Sequence, residues 1–170
     1  MILPILGIIL VLLLLIGLMF ARIVVYPRRY GVEESYNIEK DNGKLVEAEY
    51  QSWEKEEFNL PSRFGYSLAC IYFPIQGSKR CVVLSHGITY TRYGSVKYMK
   101  IFRQLGFNIL IYDLRHHGNS GGKNTTFGFY EKYDLATLFD WLEQREGQGI
   151  LIGTHGESMG AAISLQPAAM

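Results

Sequence analysis

Between Ile2 and Ala21 the sequence reads ILPILGIILVLLLLIGLMFA, without one charged side chain. No other feature constrains the chain so strongly, because such a segment has no polar face to turn toward water. About 20 residues at ~1.5 Å per residue make a helix of roughly 30 Å, the thickness of a bilayer's hydrocarbon core. Pro4 falls in the first turn, where its missing N–H costs little. Arg22, Tyr26, Arg28 and Arg29 follow with positive charge and an aromatic ring suited to a membrane surface. A cleaved signal peptide needs a basic start, a shorter apolar core and a small-x-small cleavage site. Here no Lys or Arg precedes the run, and Phe20-Ala21-Arg22 is a poor site. The run therefore reads as one uncleaved transmembrane helix, with membrane contact through residues 2–21. Arginines follow the span and none precedes it, which places the main domain on the cytoplasmic side.

Hydrophobic residues make up 48% of the chain and charged residues 19%. That excess is largely the work of the apolar run, and the remainder has an ordinary globular composition. The net charge is +1 with no basic stripe, which argues against nucleic acid as a partner. Cys70 and Cys81 are too few for a disulfide framework and sit in apolar runs. They read as reduced, small buried hydrophobes, with a single bridge left open by their spacing.

Residues 31–55 are polar and acidic, with a turn signal at Asp41-Asn42-Gly43 and one amphipathic helix expected from Lys44 to Trp53. This stretch reads as a linker. Beyond it, strand and helix patterns alternate. Glu56–Leu60 and Ser67–Phe73 read as an antiparallel pair. Arg80–Ser85, Phe107–Tyr112 and Gly149–Gly153 read as short buried strands, and Val96–Leu105 and Tyr130–Gln144 as helices. Such alternation implies right-handed crossovers, an α/β fold and a mostly parallel sheet with flanking helices. The expected organisation is an anchor at 1–22, a juxtamembrane linker at 23–55 and an α/β domain at 56–170. Reactive groups gather at the carboxyl ends of strands in such sheets, and His86-Gly87, Asp113 and Ser158 each follow one.

Gly156-Glu157-Ser158-Met159-Gly160 fits G-x-S-x-G between the strand GILIG and a helix beginning near Ala161. A turn tight enough to lift a serine oxygen clear of the backbone leaves no room for a Cβ two residues to either side. In a chain with 18 glycines the motif alone is weak, and the strand–turn–helix context gives it weight. Ser158 is the candidate nucleophile. The N–H of Met159, at the start of the following helix, and that of Ile88, after His86-Gly87, are the candidate oxyanion donors. No metal-ligand cluster, phosphate loop or dinucleotide fingerprint is present, so no cofactor is expected.

The runs HGITYTRYG (86–94), YDLRHHGNSGG (112–122) and GTHGESMGAA (153–162) together resemble the α/β-hydrolase superfamily. The resemblance covers the chain from about Glu56 onward. It is nearest to bacterial membrane-anchored hydrolases related to cinnamoyl-ester esterases and serine peptidases. It implies a first-half hydrolase sheet in the order 1-2-4-3-5, with Ser158 as nucleophile and the amides of Met159 and Ile88 as oxyanion hole. It also implies that the fourth strand separates Cys70 from Cys81, which disfavours a bridge.

Members of the superfamily carry the triad acid and histidine well beyond the nucleophile, and these 170 residues include neither position. The expectation is a serine hydrolase acting on small-molecule carboxylic esters, or on amides or thioesters, through an acyl-serine intermediate. This stretch of it is expected to be inactive. The alternative is a non-catalytic membrane-anchored binding module built on a partial hydrolase fold. A dehalogenase is a weaker third reading, since it wants Asp where Ser158 stands.

Overall fold

The computed structural model describes residues 2–166, with the side chain of Ile2 excluded. Residue 1 and residues 167–170, the outer ends of the expected anchor and α/β domain, lie outside the described residues. Helix α1 (Ile2–Val25) takes in the whole apolar run and is long and apolar enough to cross a membrane. Within Leu3–Val25 no residue is buried against the rest of the protein.

Residues 31–55 differ from a simple linker. They form α2 (Val32–Asp41) and α3 (Glu47–Ser52), separated by the Asp41-Asn42-Gly43 turn. Gly31 starts α2, and its N–H donates to Glu34 Oε2 at 3.2 Å. The single helix expected over Lys44–Trp53 shortens because Lys44 and Leu45 close off α2, both N–H groups donating to the Glu39 carbonyl at 2.9 Å. Leu45 and Tyr50 are then buried against Ile71 and Phe73 of the sheet, so apolar contact holds the segment onto the domain.

The sheet has five strands in the order β1-β2-β4-β3-β5. They are β1 (Glu56–Pro61), β2 (Ser67–Phe73), β3 (Arg80–Ser85), β4 (Asn108–Tyr112) and β5 (Leu151–Gly156). β2 pairs antiparallel with both β1 and β4, while β3 pairs parallel with β4 and β5. Four strands thus share one direction and β2 runs against them. Helix α4 (Val96–Gln104) follows β3, α5 (Glu131–Glu146) follows β4, and α6 (Met159–Leu165) follows β5.

Period-2 alternation sorts the strand residues onto two faces, both covered. Cys70, Tyr72, Cys81, Val83, Leu110 and Tyr112 meet Leu135, Leu138 and Leu142 of α5 and Ile163 of α6. Ile71, Phe73, Val82, Leu84, Ile109 and Ile111 meet the other layer, with Val96 and Met99 of α4 and Leu45 and Tyr50 of the amino-terminal segment. Double coverage explains why β2 to β4 read as unbroken apolar runs. Cys70 and Cys81 are free, buried and separated by β4, and burial pushes both thiols up.

Strand β5 lies two to three residues later than the expected Gly149–Gly153. It pairs with β3 residue for residue from Arg80↔Leu151 to Ser85↔Gly156, so the ladder persists up to the turn at Ser158.

Candidate active site

Ser158 sits at the cap of α6 with φ 53° and ψ −118°, a left-handed conformation that costs a non-glycine residue about 1–3 kcal/mol. The surroundings enforce it. A Cβ on Gly156 would lie 2.3 Å from the carbonyl of Gly160, and one on Gly160 would lie 2.2 Å from the carbonyl oxygen of Ser85. The two glycines therefore let α6 start directly over the ends of β3 and β5. A Cβ on Gly87 would lie 3.6 Å from Ser158 Cβ, so the loop after β3 and the serine face one another. Together they line a cavity of about 300 Å³ with Ile88, Thr89, Tyr90, Glu157 and Lys97, closed on another side by Glu39 and Lys44.

Two histidines fix that loop. His86 is buried, and its Nε2 accepts the N–H of Leu114 at 2.9 Å. The ring proton must then sit on Nδ1, which donates to the Gly87 carbonyl at 2.7 Å. In a trans peptide the carbonyl and the next N–H point in opposite directions. Drawing the Gly87 carbonyl toward His86 thus turns the N–H of Ile88 away from it. His117 holds the other side: Nε2 accepts the N–H of Thr89 at 3.3 Å and Nδ1 donates to the Arg115 carbonyl at 2.9 Å. Thr89, β-branched at φ 74°, also receives the N–H of Tyr30 on its carbonyl at 2.8 Å. Burial brings both His86 and His117 down to about 4, so both are neutral acceptors above the mildly acidic range.

Beneath the loop Asp113 is fully buried. Its Oδ1 accepts the N–H of Arg92 and its Oδ2 the Arg92 guanidinium, each at 2.7 Å, while the N–H of Asn119 reaches Oδ2 at 2.9 Å. Burial raises its carboxyl, against the pull of Arg92. Asp113 is thus spent on binding the loop after β4 to the turn at Arg92–Ser95.

The four histidines are accounted for. His86 and His117 use both ring nitrogens, and His116 Nδ1 contacts the Gly122 carbonyl at 3.1 Å. His155 points to the α4 layer, its ring 4.2 Å from Tyr98 and 5.6 Å from Phe102. Ser158, Met159 and Ile88 are brought to one rim. The N–H groups of Ile88 and Met159 donate to no partner among the described residues. Among those residues no cluster of His, Cys, Asp and Glu is arranged to hold a metal.

Sequence reasoning missed two things here. Glu39 and Lys44 line the cavity from a segment read as a linker, and nothing in their spacing signalled it. The second is the reach of His117 to Thr89. It joins loops 28 residues apart, and nothing in the run YDLRHHGNSGG signals that contact.

A sheet in this order, whose fifth strand turns sharply into a helix at a serine, defines the class of α/β hydrolases. Residues 76–170 match the family described as Hydrolase_4, "Serine aminopeptidase, S33". The chain belongs to that family. It is 39% identical over 150 residues to the uncharacterized protein YqkD of Bacillus subtilis (strain 168), covering 88% of this chain and 49% of that protein. Over 93 residues it is 33% identical to the lysophosphatidylserine lipase ABHD12 of Gallus gallus, covering 52% of this chain and 24% of the lipase. The esterase Pf2001 of Pyrococcus furiosus superposes with a TM-score of 0.67 at 26% identity, covering 84% of this chain and 52% of the esterase. The chain thus spans about half the length of the Bacillus protein and of the esterase.

Proposed function

We propose that the whole protein is a membrane-anchored serine hydrolase that cleaves small-molecule carboxylic esters, or by the same chemistry amides or thioesters. Ser158 Oγ attacks the carbonyl carbon as a base removes its proton, and the tetrahedral oxyanion is received by the N–H groups of Met159 and Ile88. The leaving oxygen departs with the proton, and water then releases the acyl group from Ser158. The names of the Pyrococcus esterase and the avian lipase favour esters. Base and acid lie outside these 170 residues, because every histidine here is packed or bonded elsewhere and Asp113 is held by Arg92. The stretch by itself is accordingly inactive. The domain is anchored through residues 2–21 and faces the cytoplasm.

One observation carries the reading: Ser158 is held in a strained turn facing Gly87 and Ile88 across a cavity. The test is labelling of the full-length polypeptide with a fluorophosphonate and turnover of p-nitrophenyl esters. Ser158→Ala should abolish labelling and lower kcat/KM by roughly 1,000-fold or more, with little change in Tm. Undiminished turnover by that variant would sink the mechanism.

A further inference from the structure

The loop joining the Gly-rich turn to α5 carries two features that the proposed chemistry does not use. Phe127 and Phe129 are exposed, at 45% and 66%. Phe127 also holds φ 52°, a left-handed conformation that a bulky side chain rarely adopts. The strain is imposed by the wholly buried Glu131, whose carboxylate accepts the N–H of Thr126 at 2.9 Å, the N–H of Gly128 at 2.8 Å and the Thr126 hydroxyl. Pinning the peptides on both sides of Phe127 keeps the loop from tucking the ring away. In water that arrangement offers nothing.

Its position supplies a reason. The N–H of Thr125 donates to the carbonyl of Val25 at 3.2 Å, and Val25 is the last residue of α1. Five residues span at most about 17 Å even when extended, so both rings lie close to the end of the apolar helix. Arg28 and Arg29 follow that end by three and four residues, and the Arg29 guanidinium binds the His116 carbonyl. Aromatic rings beside a helix end, flanked by cations, match the headgroup zone of a bilayer.

We propose that Thr126–Phe129 is a membrane-contact loop that presses Phe127 and Phe129 into the interfacial zone of the bilayer entered by α1. The inference rests on reading α1 as the membrane anchor. It adds a consequence for the hydrolase site. The segment after Val25 is tied through Tyr30 to Thr89 in the cavity wall, so a second contact beside α1 fixes the height of the Ser158 cavity above the lipid. Esters dissolved in the bilayer are then the substrates presented to it.

The test uses the full chain, reconstituted in phosphatidylcholine vesicles with a minor fraction of phosphatidylglycerol. Cys70 and Cys81 are buried, so a cysteine introduced as Phe129→Cys takes a nitrobenzoxadiazole label selectively, with Gln148→Cys as an exposed control. The label at 129 should shift to the blue and be quenched by spin-labelled lipid, at a depth of about 5–10 Å into the headgroup–acyl boundary, while the label at 148 emits as in water. Water-like emission at 129 in protein that resists carbonate extraction overturns the loop proposal alone. Release of the protein by carbonate overturns the anchor and the loop together. A blue-shifted label at 129 that lipid spin labels do not quench also overturns it, because protein then covers the loop.

Discussion

The two sides of the candidate site are built to different standards. The side that presents Ile88 follows β3, whose neighbour β4 is buried at every residue. It is tied down by His86, His117 and the Arg92–Asp113 pair, all in the interior. The side that presents Ser158 follows β5, which is at best half-buried throughout and has no partner on its outer edge among the described residues. Leu151 there is 61% exposed, and Leu165 of α6 is 75% exposed. The Ile88 side is thus held by buried polar bonds, whereas the Ser158 side is shaped by steric closeness of glycines to the backbone. Exposed edge strands are ordinarily covered or paired, and among the described residues the uncovered edge of this sheet lies on the Ser158 side.

The contrast can be broken most forcefully at Asp113. Asp113→Ala leaves the Arg92 guanidinium buried without a counter-charge and frees two backbone N–H groups, which should cost about 3–5 kcal/mol. Urea denaturation measures it. If the loss is no greater than for substitutions on the serine side, the asymmetry is wrong.

Acid should act next, and on the same side. His86 and His117 are brought by burial to about 4, below the value near 6.5 of an unfolded histidine. The unfolded chain then binds more protons between those limits, so their contribution is complete above about pH 6.5 and is lost as pH falls toward 4. For His86 alone the loss amounts to about 3 kcal/mol. Asp113 and Asp134, both raised by burial, work in the opposite sense across the carboxylate range. Melting temperature against pH should therefore fall from pH 6.5 toward 4, and His86→Gln should flatten that slope.

Gly160→Ala sharpens the comparison at smaller cost. The new methyl must displace α6 from the carbonyls of Ser85 and His86, at about 1–3 kcal/mol. Hydrogen exchange should quicken in β5 and α6 while β4 stays protected, and fluorophosphonate labelling of the full-length protein should be lost. Equal loosening of β4 would show that the two sides are one cooperative unit.

How far the sequence could be read tracks the range of the contacts. The uncharged run, the apolar strands and the alternation with helices were legible because each depends on neighbours within a few residues. The tight turn at Ser158 was legible largely for the same reason, since Gly156 crowds the backbone of Gly160 four residues on, although Gly160 itself is required by the distant carbonyls of Ser85 and His86. The start of β5 was misplaced by about two residues because Gly149 and Ile150 carry the same apolar pattern as the strand, and only the ladder with β3 sets its limits. The fate of residues 31–55 was harder to read. Their acidic surface conceals Leu45 and Tyr50, whose partners Ile71 and Phe73 lie more than 20 residues away.

The sequence by itself determined a membrane-length helix, an α/β order of elements and a serine raised on a tight turn, because these follow from periodicity and local sterics. The tertiary structure decided which groups surround that serine. It set Glu39 and Lys44 in the cavity wall, bracketed Ile88 between two neutral histidines and committed Asp113 to Arg92. Such pairings join residues tens of positions apart, and only the closing of the sheet brings them within hydrogen-bonding distance.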